Sequence, residues 1–131
     1  MCGLLSEEKF TGEQTKAVIR YVREEYGGEL EFLWEDENAI WRNPVNRKWY
    51  GLLMRVRSER LGLPGDEVRE ILVLRFEKGM AREFVAAKGV EGIRLAYHMN
   101  KDNWVTVVMD EGVALPEVLG LVDQSYRIVA G

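Results

Sequence analysis

His98 is the only histidine in the chain and Cys2 the only cysteine, and this scarcity bounds the chemistry. Histidine-rich metal sites, zinc knuckles, Cys/His nucleophilic pairs and two-histidine relays all need more than one such residue, or two that lie close together. A serine triad would use His98 as its base. The nearest candidate partners in type, Asp123 and Ser125, fall in a segment that reads as a terminal helix, where solvated or capping roles are expected instead. Gly89-Val90-Glu91-Gly92 matches neither the phosphate loop nor the dinucleotide fingerprint. The run Glu35-Asp36-Glu37-Asn38 offers oxygen ligands for a hard cation but lacks calcium-loop spacing and sits where a hairpin turn is expected. With 22 acidic residues, no carboxylate pair stands out for acid-base work. The expectation is a protein that is not an enzyme, with no catalytic residue, no cofactor and no metal.

Charge is more informative. The net charge of -4 argues against a protein that coats nucleic acid indiscriminately, yet the charges are unevenly spread. Residues 1–37 hold four bases against ten acids, whereas residues 38–60 hold six bases against Glu59 alone. Within that basic ribbon, Arg42, Arg47, Lys48, Arg55 and Arg57 fall on two adjoining strands and their turn, interleaved with Trp41 and Trp49. Cationic groups beside exposed aromatics suit phosphate contact combined with base stacking. The competing reading is that these bases pair with the acidic first segment.

The elements that must position these groups follow from periodicity. Thr11-Gly12-Glu13-Gln14 reads as a capping box, and Val18, Tyr21, Val22 and Tyr26 then recur at helical spacing until Gly27-Gly28. From Glu29 the period becomes two, with Leu30, Phe32 and Trp34 on one face, and Ala39 to Arg42 returns as a second strand. A third strand from about Arg47 to Arg57 places Tyr50, Leu52, Met54 and Val56 on a core face and Trp49, Gly51, Leu53, Arg55 and Arg57 on the other. Val68 to Phe76 is a fourth strand, and Met80 to Lys88, stopped by Gly89, a second helix. The stretch from Ala96 to Asp110 combines a polar, aromatic tip around His98, turned by Asn100 and Asn103, with a fifth strand covered on both faces. Pro116 opens a terminal helix carrying Leu119, Val122, Tyr126 and Val129 inward. Gly120 inside it costs about 1 kcal/mol against alanine, which suggests close packing on the sheet.

The order α-β-β-β-β-α-β-α predicts a single α+β domain over residues 1–131, a two-layer sandwich with helices on one face of a largely antiparallel five-stranded sheet. At 131 residues such a domain buries roughly two thirds of its unfolded surface without disulfides. The first residues lack a signal-peptide pattern and no apolar run approaches a membrane span, so a cytoplasmic location and no membrane partner are expected.

Several separated segments resemble the MmcQ/YjbR family, small bacterial proteins described as DNA-binding. They are Arg42-Asn43-Pro44 with Lys48-Trp49-Tyr50-Gly51-Leu52, Ile71-Leu72-Val73-Leu74, Gly92-Ile93 through Tyr97-His98-Met99-Asn100 to Trp104-Val105-Thr106, and Leu121 to Tyr126. The chain departs from the family at Leu95, where proline is frequent, and at Asn103, where histidine is common, so no family role is carried to Asn103. The resemblance implies a fold akin to frataxin-like and secretion-chaperone-like sandwiches and DNA contact through hairpins. Together with the basic ribbon it nominates Arg42, Arg47, Lys48, Arg55, Arg57 and Lys101 for phosphate contacts, and Trp49, His98 and Asn100 for base or sugar contacts. Two alternatives remain open from sequence. One is a protein-interaction module using the sheet face or aromatic tip, with a protein partner and no nucleic acid. The other is a small-ligand or metal site near Tyr97 and His98.

Overall fold

The computed structural model describes residues 9–33, 38–110 and 112–131. Helix α1 (Glu13–Tyr26) is followed by strands β1 (Glu31–Phe32), β2 (Ala39–Arg42) and β3 (Trp49–Arg57), a 3-10 turn at Ser58–Leu61, and β4 (Val68–Arg75). Helix α2 (Ala81–Lys88), β5 (Ile93–Leu95), β6 (Trp104–Val108) and α3 (Leu115–Ala130) complete the chain. The strands form one antiparallel sheet in the order β1-β2-β3-β4-β6-β5. The expected α+β sandwich is present, with six strands in the sheet instead of five. The additional strand is β5, whose three residues pair with β6 through Ile93↔Val107, Arg94↔Thr106 and Leu95↔Val105.

Both faces of the sheet are buried. On the helix-covered face, Trp41, Leu53, Leu72, Leu74, Val105 and Val107 pack with Val18 and Val22 of α1 and Val118 and Val122 of α3. The opposite face gathers Ile40, Leu52, Met54, Val56, Ile71, Val73 and Val108 beneath Leu61, Leu63 and Ala96. Loops, not helices, form that second cover, and Trp49, Tyr97, Met99 and Trp104 lie partly buried over it.

The expected alternation along β3 breaks at Tyr50. The register steps from Trp41↔Gly51 to Arg42↔Trp49, so Tyr50 is the extra residue of a bulge. Tyr50 therefore joins Leu53 on the helix side, while Leu52, Met54 and Val56 remain opposite with Trp49. Gly51 is required here because a Cβ would come within 2.8 Å of the Trp41 ring lying across it.

The capping box of α1 is replaced by a tertiary cap. Gly12, not Thr11, is the N-cap, so the helix starts one residue later than the motif requires and has no side chain of its own to offer. Glu70 of β4 accepts the amides of Thr11 (2.7 Å) and Gly12 (3.1 Å), and Asp110 accepts that of Gln14 (3.3 Å). Gly27, at φ 63, closes α1 as expected. In α3, Gly120 is exposed with open space around its Cβ position, so it makes no close contact with the sheet.

Candidate nucleic-acid interface

The loop of residues 96–103 crosses the loop-covered face and is anchored at several points. The Tyr97 amide donates to Thr106 Oγ1 (2.9 Å). The amides of Asn103 and Trp104 donate to the Asn100 carbonyl (3.2 and 3.0 Å), and that of Asp102 donates to Asn100 Oδ1 (2.8 Å). Asn103 ties the loop to the end of β4 and the start of α2: its carbonyl accepts the Phe76 amide (2.7 Å), and its Oδ1 accepts that of Gly79 (2.9 Å). Arg82 pairs with Asp102 at 2.7 Å.

His98 has a φ of 61°, a left-handed conformation uncommon for a side chain of this size. Successive side chains of an extended segment point apart, whereas this twist brings the imidazole over the preceding phenol. The Tyr97 and His98 rings stack at 4.0 Å with planes 13° apart. His98 itself is exposed.

This stacked pair forms a wall shared by two clefts. The larger, of about 570 Å³, takes cations from three separate segments: Arg60 of the 3-10 turn, Arg94 of β5 and Lys101 of the loop. The second, of about 340 Å³, adds Arg55 and Arg57 beside Met54 and Val56. Among the described residues no Asp or Glu lines either cleft. Arg60, Arg94 and Lys101 have no ion pair among the described residues, the Arg94 guanidinium donating to the Glu91 carbonyl (3.3 Å). A carbonyl satisfies a donor but leaves the cationic charge uncompensated, so this region is open to an anionic partner.

A third cleft, of about 310 Å³, is bordered by Met99 of the same loop and by Trp49, Trp104, Arg47, Lys48 and Arg75. Arg42 stands opposite Trp49 in the β2–β3 pairing, with its guanidinium 5.9 Å from the indole centroid.

The nine nominated residues thus divide. Arg47, Lys48 and Trp49 border the third cleft, and His98 and Lys101 the first. Arg42 is drawn to Glu31 (3.2 Å), the pairing with the acidic first segment that the sequence held out as the alternative. Arg57 pairs with the adjacent Glu59 (3.1 Å), and Arg55 stands opposite Glu70 across β3 and β4. Asn100 shapes the turn: its carbonyl and Oδ1 already accept three backbone amides. Three cations escaped the sequence reading, namely Arg60, Arg75 and Arg94. Arg94 carried a signal, because it alternates with Ile93 and Leu95 along a short strand; Arg60 closed the basic ribbon.

Ser125 is buried and Asp123 only partly exposed, and both are engaged in tertiary hydrogen bonds. Ser125 is buried, donating to the Tyr50 carbonyl (2.6 Å) and accepting the Arg75 amide (3.0 Å). Asp123 accepts from the hydroxyls of Tyr21 (2.8 Å) and Tyr26 (2.5 Å), bridging α1 and α3. Both are committed to the helix layer, away from His98. The described residues contain no group of three or more His, Cys, Asp or Glu side chains placed to hold a metal ion, and no described helix is long and apolar enough to cross a membrane. Cys2 and the acidic run Glu35-Asp36-Glu37 lie outside the described residues.

Comparison with known proteins fits this architecture. The chain is 32% identical over 113 residues to the uncharacterized protein YyaQ of Bacillus subtilis (strain 168), covering 85% of this chain and 93% of that one. A crystal structure of a protein from Pseudomonas syringae superposes with a TM-score of 0.79 at 30% identity, covering 86% of this chain and 96% of the other. That of Deinococcus radiodurans protein DR2400 gives a TM-score of 0.63 at 25% identity, covering 87% and 77%. The YjbR family model matches residues 24–128, a span that takes in every strand of the sheet and most of α3, and the chain belongs to the YjbR family.

Proposed function

We propose that this protein is a non-enzymatic cytoplasmic nucleic-acid-binding protein that receives the phosphate backbone in the cationic clefts on either side of the Tyr97–His98 stack. The observation that carries the reading is one of segregation. In a chain of net charge -4, Arg60, Arg94 and Lys101 converge on a cleft that no described carboxylate lines, next to the stacked rings of Tyr97 and His98. Phosphate contacts of this kind supply affinity and position, while ring surfaces add stacking. Glu67, Glu70 and Asp110 border a separate cleft by the start of α1.

A protein-docking role has less support. The exposed large apolar side chains among the described residues are Val45, Val68, Met80, Val90 and Leu95, and of these Val90 and Leu95 line the larger cleft, beside its cations. Fluorescence anisotropy of labelled DNA, titrated with protein at low and moderate salt, tests the proposal. The expected result is saturable binding at low salt that weakens as salt rises and is lost in Arg60→Glu/Arg94→Glu. Affinity no better than that of an acidic control protein at low salt overturns it.

A further inference from the structure

We propose that the cleft between Trp49 and Trp104 is a stacking site for an unpaired nucleobase, which makes a single strand, not a duplex, the ligand of this face. The inference rests on the nucleic-acid reading above and narrows it.

Its basis is a row of side chains across the loop-covered face. The register sets Arg75 directly opposite Trp104 on β6, and the bulge at Tyr50 brings Trp49 of β3 to the cleft on the other side of β4. The two indoles, each half-buried, therefore flank an arginine, with Met99 completing the apolar lining. The Arg75 guanidinium is held by the carbonyls of Phe76 and Asn103, which fixes its plane and leaves its charge uncompensated by any described carboxylate. Flat rings beside a fixed guanidinium suit the π-face of a base, which any base offers once it is out of a stack. At the rim, Arg47 and Lys48 are exposed and make no ion pair among the described residues, so they are placed for the neighbouring phosphate.

The surface suits a single strand better than a duplex. The faces of paired bases are covered by their neighbours in the stack, whereas an unpaired base can lay its face against the indoles of this open cleft of about 310 Å³. The Tyr97–His98 stack lies farther along the same loop, past Met99, and supplies a second ring surface for the same strand.

Intrinsic tryptophan emission, recorded while an oligothymidine or a mixed-sequence duplex of equal length is added, tests the proposal. The expected outcome is quenching by the single strand that is at least several-fold stronger than by the duplex, with single-strand affinity roughly tenfold weaker in Trp104→Ala. Because Trp104 also packs on the sheet, Lys48→Glu at an exposed position serves as the second variant and lowers single-strand affinity without altering the fold. Equal affinity for the two ligands with unchanged emission overturns the stacking site while leaving the nucleic-acid reading intact. Failure of both ligands to bind overturns both.

Discussion

Gln14 and Asp110, distant in sequence, cap one another reciprocally: the Asp110 amide donates to Gln14 Oε1 (2.8 Å), and the Gln14 amide donates to Asp110 Oδ1 (3.3 Å). The Gln14 side-chain amide also donates to the Val113 carbonyl (2.5 Å), so a single residue fastens the start of α1 to the chain leaving β6. Asp110 sits at φ 62°, a conformation that glycine and asparagine tolerate. Asp110→Gly therefore removes the cap without adding backbone strain and is expected to cost about 1 kcal/mol, whereas Asp110→Asn retains most of the stability. Urea unfolding of the two variants checks the difference; equal stabilities would show that the carboxylate contributes nothing as a cap.

The helix layer predicts an alkaline response. Burial, followed by the hydrogen bond to Asp123, raises the Tyr26 hydroxyl well above its usual value of 10. The bond to Asp123 is the chief cause of the rise at Tyr21, and burial pushes Tyr50 up to about 12. Each phenol keeps its proton in the fold at a pH where the unfolded chain has lost it. Their contribution is thus fully present below pH 10 and is lost as pH rises through the folded values. Stability is expected to fall with increasing pH above 10, and more gently in Tyr21→Phe/Tyr26→Phe. Chemical denaturation from pH 8 to 11 measures the slope, and identical slopes would remove the tyrosines from the explanation.

Gly120 lies on an exposed turn of α3 with room for a methyl group. Gly120→Ala is expected to stabilise the protein by about 0.5 to 1 kcal/mol, by lowering backbone entropy in the unfolded chain. Thermal unfolding checks it, a lowered midpoint being the contrary result.

The elements with unbroken periodicity were legible in the sequence. The stripe of Val18 and Val22, the two-sided strand Val105 to Val108 and the glycine stops at Gly27 and Gly89 all fall where they were expected. What escaped depended on partners far along the chain. The α1 cap comes from Glu70 and Asp110, which no local motif encodes. The bulge at Tyr50 shifts a side chain between faces, and strict alternation contains no signal for such a step. Strand β5 is three residues long and is defined by its pairing with β6. The site was half visible for the same reason. Contiguous bases such as Arg47 and Lys48 declare themselves, but Arg60, Arg94 and Lys101 belong to one cleft only after folding, and Arg42 is turned to Glu31 by a cross-strand neighbour.

The salt dependence of DNA binding is the most direct test of the central claim, because each phosphate neutralised by a cation releases counterions. Wild-type protein and Arg60→Gln/Arg94→Gln/Lys101→Gln are compared by plotting log affinity against log salt concentration. If these three side chains hold phosphates, the triple variant loses affinity and its slope becomes shallower by about 2 to 3. An unchanged slope, or no salt-dependent binding by the wild-type protein, would contradict the assignment of the Tyr97–His98 clefts to nucleic acid.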